Sequence, residues 1–254
     1  MVSFSSGSRG NSLVVFSENT AVVIDVGISA PCIKRGLKVA GAHLAPQILV
    51  THAHSDHVGY LYTYSEQFAP DVYCFAPAYY TVSREMAGGR LIAFDGDFFV
   101  GDFTVSPFRV SHDVPCVGYS VYHAGNKLSV VTDLGKVTEA VFEAIKGSDL
   151  VFLEANYDES MLMNNANYPA VLKRRILSDR GHLSNEAAGA FAVRLAEAGT
   201  RQLILGHLSE QNNYPELAYR VVSGALAEKG IEAGKDVHID VAGYNRVTKV
   251  FSVT

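Results

Sequence analysis

Thr51-His52-Ala53-His54-Ser55-Asp56-His57 places three imidazoles and a carboxylate within six positions, directly after the apolar run Gln47–Val50. That donor set suits zinc, manganese, iron or nickel better than calcium or magnesium, whose shells are built from oxygen. Side chains two apart in an extended segment share a face, so His52 and His54 can converge on one ion. Asp56 and His57 lie past the bend and can reach a second. Further donors are needed, and candidates stand just beyond other apolar runs. Asp25 follows Ala21–Ile24, His112 follows Thr104–Val110, Asp133 follows Leu128–Val131, and His207 follows Leu203–Leu205. Ligand sites of α/β sheets gather at such strand ends. Each residue alone reads more often as a turn residue. Beside the histidine cluster, the four together point to a metal site.

The elements that must hold these residues read as strands alternating with helices. Short apolar runs at Ser12–Phe16, Ala21–Ile24, Gln47–Val50, Val72–Cys74, Phe98–Val100, Thr104–Val110, Val117–Tyr122 and Lys127–Val131 predict strands. Leu150–Leu153 and Gln202–Leu205 predict two more. Several lack clean alternation, as strands covered on both faces do. Helical patterns occupy Ala30–Val39, Ala76–Met86 and Thr138–Lys146. Two longer ones follow at Asn185–Ala198, with Ser184 as N-cap, and Pro215–Lys229, with Pro215 in the first turn. Leu153 to Pro169 reads as a polar stretch. No linker, low-complexity tract or repeat interrupts the pattern, so residues 1–254 read as a single α/β domain.

Composition narrows the class. The 254 residues are 48% hydrophobic and 19% charged, the make-up of a folded protein with a sizeable core. Disorder, collagen and coiled coil are excluded. With 21 basic against 26 acidic residues the net charge is −5, which argues against coating nucleic acid or membrane by bulk charge. The first residues lack a basic-then-apolar leader, and no apolar stretch is long enough to span a bilayer. Cys32, Cys74 and Cys116 are far apart and odd in number, so they read as reduced thiols filling the core. The expectation is a cytoplasmic protein with no membrane partner and no obligate protein partner.

His52-x-His54-x-Asp56-His57 followed by His112, Asp133 and His207 resembles the metallo-β-lactamase fold. That fold is a four-layered αβ/βα sandwich of two mixed β-sheets with outer helices and a dinuclear metal site along the sheet edge. Ser6-Gly7-Ser8-Arg9-Gly10-Asn11-Ser12, Asp25-Val26-Gly27, Thr132-Asp133-Leu134-Gly135, Gly181-His182-Leu183-Ser184-Asn185 and Gly206-His207-Leu208-Ser209 with Asn212-Asn213 are similar to its YycJ (WalJ) branch. These motifs run from residue 6 to residue 213. The resemblance implies a phosphodiesterase acting on nucleic acid, a 5′-to-3′ DNA exonuclease, with two divalent ions, zinc or manganese. Carried over, His52, His54 and His112 hold one ion, Asp56, His57 and His207 the other, and Asp133 bridges. Asp25 braces the histidine loop from outside the coordination shell. Two divalent ions against Asp56 and Asp133 leave a pocket charge of about +2 to attract phosphate.

His182 and His207 both sit in Gly-His-Leu-Ser, so local sequence alone does not say which is the ligand. His207 ends an apolar strand, a rigid mount. His182 lies in a polar loop beside Arg180, close to a helix N-terminus, where it can reach a leaving-group oxygen. His207 is therefore assigned to metal. His182 is assigned to acid catalysis, protonating the leaving group as a metal-bound hydroxide, positioned with Asp56, attacks phosphorus. Lys173, Arg174, Arg175 and Arg180 against Asp179 make a local charge of 4 − 1 = +3 leading to His182, a candidate backbone-phosphate contact. Ser8 and Asn11, in the opening Ser/Gly loop, are candidate phosphate contacts too. The alternative reading is a small-molecule metallohydrolase acting on a cyclic phosphodiester, lactone or thioester; the basic run and His182 favour phosphate.

Overall fold

The computed structural model describes residues 1–42 and 46–253. Its strands fall into two sheets in strict sequence order. The first holds β1 (Val2–Ser5), β2 (Ser12–Phe16), β3 (Ala21–Ile24), β4 (Gln47–Val50), β5 (Asp71–Phe75) and β6 (Arg90–Phe94). The second holds β7 (Phe98–Val100), β8 (Phe103–Arg109), β9 (Val117–His123), β10 (Asn126–Val131), β11 (Leu150–Glu154), β12 (Gln202–Gly206) and β13 (His238–Val241). Both are mixed: β1–β3 and β7–β10 pair antiparallel, while β3–β6 and β10–β13 pair parallel.

Helices cover the outer faces. They are α1 (Ala30–Ala40), α2 (Ser55–Val58), α3 (Leu61–Phe68), α4 (Tyr79–Ser83), α5 (Glu139–Ile145), α6 (Glu159–Asn164), α7 (Ala170–Ile176), α8 (Asn185–Glu197) and α9 (Pro215–Ala227). The strand alternation explains the layering. Val22 and Ile24 face the core between the sheets, while Ala21 and Val23 face outward toward α1 and α3. Leu150 and Phe152 point inward, and Val151 and Leu153 pack under α5, α8 and α9. Central strands such as β3 and β11 thus bury both faces, so their apolar runs are continuous rather than alternating. The result is a four-layered α/β/β/α sandwich of two mixed sheets.

The structure adds elements the sequence reading does not name, among them α3, which buries Leu61 and Tyr64. The helix expected over Ala76–Met86 shrinks to a 3₁₀ turn at Ala76–Ala78 and the short α4. Strands β1, β6 and β13 were not expected; β6 and β13 are edge strands with exposed or half-buried positions. The stretch from Leu153 to Pro169 contains α6, and α7 follows it with no buried residue. Ser184 does cap α8, accepting from the Ala187 amide, and Pro215 opens α9.

Three loops of the first sheet are zipped together beneath the histidine motif. Asn11 N donates to Asp56 O, Gly27 N to Asn11 O, and Val26 N to His57 O, at 2.8, 2.9 and 2.7 Å. Gly27 is where they meet: a Cβ there would lie 1.8 Å from Asp56 O and 2.6 Å from Asn11 N. Both obstacles are backbone, so neither can swing away. Gly27→Ala should lower stability by about 1–3 kcal/mol, the usual cost of forcing extra volume into a packed site. Urea unfolding checks this, and an unchanged midpoint would show that the loops are not locked together here.

Candidate metal centre and active site

The sequence-predicted donors converge along one edge of the sandwich because the strands of both sheets end there. His52 follows β4, Asp25 follows β3, Asp133 follows β10, and His207 follows β12. Asp25, Asp133 and His207 all adopt positive φ, at 63°, 58° and 55°. Residues other than glycine take this left-handed conformation seldom, and bent strand ends at functional sites are one place they do. The backbone reverses sharply at each, which turns a side chain from the strand direction into the shared edge. The single turn α2 lifts Asp56 and His57 out of the line of His52 and His54.

Among the described residues four overlapping donor groups result; one joins Asp133, Glu154, His182 and His207, another His52, His57 and Asp133, and the remaining two lie side by side. His52, His54 and His112 each offer a ring nitrogen, and these atoms lie within 4.8 Å of one another. Asp56, His57 and His207 form a second group on the same criterion. Asp133 belongs to both sides: its Oδ2 is 3.2 Å from His57 Nε2, and its Oδ1 is 4.0 Å from His112 Nε2 and 3.6 Å from His207 Nε2. His52 Nε2 is buried with no hydrogen-bond partner. An unpaired buried ring nitrogen facing other imidazoles is costly in a dry site and is satisfied by an ion. The residues present fit a pair of divalent cations. Asp25 holds the loop from behind: Oδ1 accepts from Thr51 N at 2.8 Å, and Oδ2 from Thr51 Oγ1 at 2.8 Å and His57 Nδ1 at 2.7 Å.

Glu154 went unpredicted. It is fully buried, and its Oε1 lies 2.8 Å from His182 Nδ1 and 2.9 Å from His207 Nδ1. Its Oε2 accepts from Leu134 N and Leu183 N. The signal was present: a carboxylate ends the buried apolar run Leu150-Val-Phe-Leu, in the same setting as Asp25 and Asp133. One carboxylate thus orients both histidines of the repeated Gly-His-Leu-Ser motif. An amide clasp holds the two loops together, since Asn185 and Asn213 pair reciprocally through Nδ2 and Oδ1 at 2.8 and 3.0 Å. Asn156 Nδ2 adds a bond to His207 O at 2.6 Å.

A family profile described as "Beta-lactamase superfamily domain" matches residues 22–208. The chain belongs to that superfamily. It is 34% identical over 253 residues to "Exodeoxyribonuclease YycJ" of Bacillus anthracis, covering 96% of each chain. It is 30% identical to "Exodeoxyribonuclease WalJ" of Streptococcus pneumoniae, covering 92% of this chain and 90% of that one. Among solved structures, the metallo-beta-lactamase fold protein YhfI from Bacillus subtilis superposes with a TM-score of 0.71 at 15% identity, covering 97% and 98% of the two chains. Zn(2+)-bound PqqB from Methylobacterium extorquens gives 0.69 at 18% identity, covering 98% and 100%. The protein is a metal-dependent hydrolase of the metallo-beta-lactamase fold.

Charge explains how such a superfamily site is held. Burial alone would raise the Asp133 carboxyl, but His207, His57 and His52 outweigh it and hold it well below the usual range. Burial would likewise raise Glu154, and His182 and His207 bring it down. Burial works to lower His57, yet Asp133, Asp25 and Asp56 push it well above its ordinary value. Burial works to lower His207 as well, but Asp133, Asp56 and Glu154 against it raise it to about 10. His52 goes the other way, lowered by burial and by its neighbour His57. The carboxylates therefore favour positive charge beside them, which bound cations would supply. Counting Asp25 and Glu154 as well as Asp56 and Asp133, two divalent ions balance the four carboxylates, 4 − 4 = 0. The surplus of about +2 expected from sequence omitted the two outer carboxylates.

A small cavity of about 160 Å³ adjoins His112 and His182, and Ser8, Tyr168 and Arg175 are among its lining residues. Of the residues predicted to touch substrate, Ser8 and Arg175 therefore reach the site. Asn11 is buried and spends its amide inward: Nδ2 lies 3.0 Å from Gly7 O, 3.3 Å from Asp56 Oδ2 and 3.1 Å from His57 Nε2. Lys173 Nζ donates to Met163 O at 2.7 Å, and Arg174 and Arg180 stand exposed outside the cavity.

Glu154→Gln keeps an oxygen for the Leu134 and Leu183 amides but removes the charge that fixes His207. Metal affinity at the Asp56, His57 and His207 position should fall about 10–100-fold, the usual cost of losing such an outer partner. Chelator competition measures this; wild-type affinity in the variant would show that Glu154 does not orient His207.

Proposed function

We propose that the protein is a dinuclear phosphodiesterase of nucleic acid and that its substrate is DNA, degraded from the 5′ end. One observation carries the phosphodiester reading: the His182 ring lies beside the two donor groups, 5.3 Å from His207 and 5.6 Å from His112, and is held through Nδ1 by a buried carboxylate. That leaves Nε2 toward the cavity, where a proton can be given to a departing sugar oxygen. The two relatives named as exodeoxyribonucleases, similar over more than nine-tenths of this chain, support DNA as the polymer.

His52, His54 and His112 would hold one ion, Asp56, His57 and His207 the other, with Asp133 between them; zinc or manganese suits this mixture of imidazole and carboxylate. Bound ions supply an activated water and stabilise charge on the phosphoryl oxygens. The chain's own residues do the rest. Asp56, half-buried and 3.4 Å from both His57 Nε2 and His207 Nε2, borders the open side and can orient the attacking water. Ser8 and Arg175 line the cavity and can contact a phosphate. His182 supplies the proton. Residues 1–254 act as one domain, since both sheets contribute donors to one centre. Three free thiols, two of them buried, accord with a reducing cytoplasm. Among the described residues no helix is long and apolar enough to cross a membrane.

The test is end-labelled duplex and single-stranded DNA digested with zinc- or manganese-loaded protein, alongside a nitrophenyl phosphodiester. His182→Ala should keep both ions and lose about 10²–10⁴-fold in rate on DNA, the span of acid catalysis. The loss should be small on the nitrophenyl ester, whose leaving group departs unprotonated. His207→Ala should lose an ion and most activity on both substrates. Metal loss in His182→Ala with retention in His207→Ala would reverse the two roles. Absence of nucleotide release from any labelled end would end the exonuclease reading.

A further inference from the structure

Asp113, the residue after His112, is a single acidic residue in a loop and carries no signal in the sequence. In the structure it stands between a donor histidine and the helix over the cavity. Its Oδ1 lies 3.3 Å from His54 Nε2 and also 3.3 Å from His112 Nε2. Its Oδ2 takes both contacts from one guanidinium, 2.8 Å from Arg175 Nε and 2.5 Å from Arg175 Nη2. The two oxygens thus have separate tasks, one toward the histidines and one toward the arginine.

The nitrogens divide in the same way. His54 Nδ1 lies 3.3 Å from His112 Nε2, so these two atoms converge on one point, near the unpaired His52 Nε2. His112 Nδ1 faces outward to Gly181 O at 3.3 Å. His54 has no such backbone partner, and its outward nitrogen, Nε2, meets Asp113. A ligating imidazole keeps its tautomer and ring angle when the remote nitrogen bonds a carboxylate or carbonyl. His112 has the carbonyl and His54 has the carboxylate.

We infer that Asp113 is a positioning residue for His54, itself aimed by Arg175, and that this chain of contacts ties α7 to the first metal position. The inference rests on the dinuclear reading above. The helix gives the arrangement its purpose. No residue of α7 is buried, and Leu172, Arg175 and Ile176 line the cavity beside His182. Arg175 ties this helix to Asp113 beside the cavity. An exposed ion pair of this kind adds little stability. Its value is geometric, because a planar guanidinium gripping one oxygen leaves the other pointed at His54. Arg175 therefore sets the metal ligand and borders the substrate cavity with one side chain.

The test uses full-length metal-free protein, cobalt(II) as the probe and a chromogenic chelator as competitor. In Asp113→Ala, affinity at the His52, His54 and His112 position should fall about 10–100-fold, with the second position within about twofold of wild type. Arg175→Ala should weaken the same position by less. Asp113→Asn retains an acceptor oxygen without charge and should fall between Asp113→Ala and wild type; it carries the test alone if Asp113→Ala does not fold. The visible cobalt bands of Asp113→Asn at saturation should match wild type, since a positioning residue leaves the coordination number unchanged. Altered band intensity would make Asp113 a direct ligand and overturn the inference. Equal affinity in wild type and the Asp113 variants, or equal loss at both positions, would overturn it as well. Wild type that binds no cobalt at the three histidines would defeat the dinuclear reading and this inference together.

Discussion

Four carboxylates pressed into one edge of an apolar sandwich must be met by positive charge, and the rest of the site is arranged around that demand. Asp25, Asp133 and Glu154 are buried almost completely, and Asp56 stands at their open side. An unpaired buried carboxylate is too costly to keep ionised. Here imidazoles surround Asp133 and Glu154 and hold their carboxyls low, and the same imidazoles present nitrogen lone pairs once divalent cations take over the charge. Folding and metal binding are thereby linked, because the carboxylates that hold His57 and His207 above their ordinary range are the ones a divalent cation would meet.

The two sheets make this possible by their shape. Parallel strands in both sheets end on the same side, so donors far apart in sequence arrive at one edge without a long loop. The left-handed turns at Asp25, Asp133 and His207 convert strand direction into side-chain aim. The backbone zipper around Gly27 and the Asn185–Asn213 clasp then fix the loops from each sheet. With two ions balanced by four carboxylates, a phosphate would be drawn by the ions' open faces and by Arg175 at the cavity rather than by a net charge on the pocket.

Much of this was legible in the residues. The dense histidine motif and the polar groups at the ends of apolar runs identified every member of the two donor groups, because the same physical requirement, a rigid mount at a sheet edge, leaves the same local pattern each time. The layered fold followed from runs too apolar for one-sided strands. Glu154 was missed because Leu-Val-Phe-Leu-Glu looks like a strand reaching solvent, whereas its glutamate turns inward to two histidines. The Ser/Gly loop suggests a phosphate contact at Asn11, but its amide faces inward to Gly7, Asp56 and His57. Helices α6 and α7 bury too little to leave an apolar stripe, so no periodicity could reveal them. Asp113 has no pattern at all; only the fold brings it to His54.

Crystals grown with manganese or zinc and measured at the metal's absorption edge test the central claim most directly. The account predicts two anomalous peaks, one bounded by His52, His54 and His112 and one by Asp56, His57 and His207, both within coordination distance of Asp133. A single peak, or two peaks with Asp133 contacting neither, would contradict it.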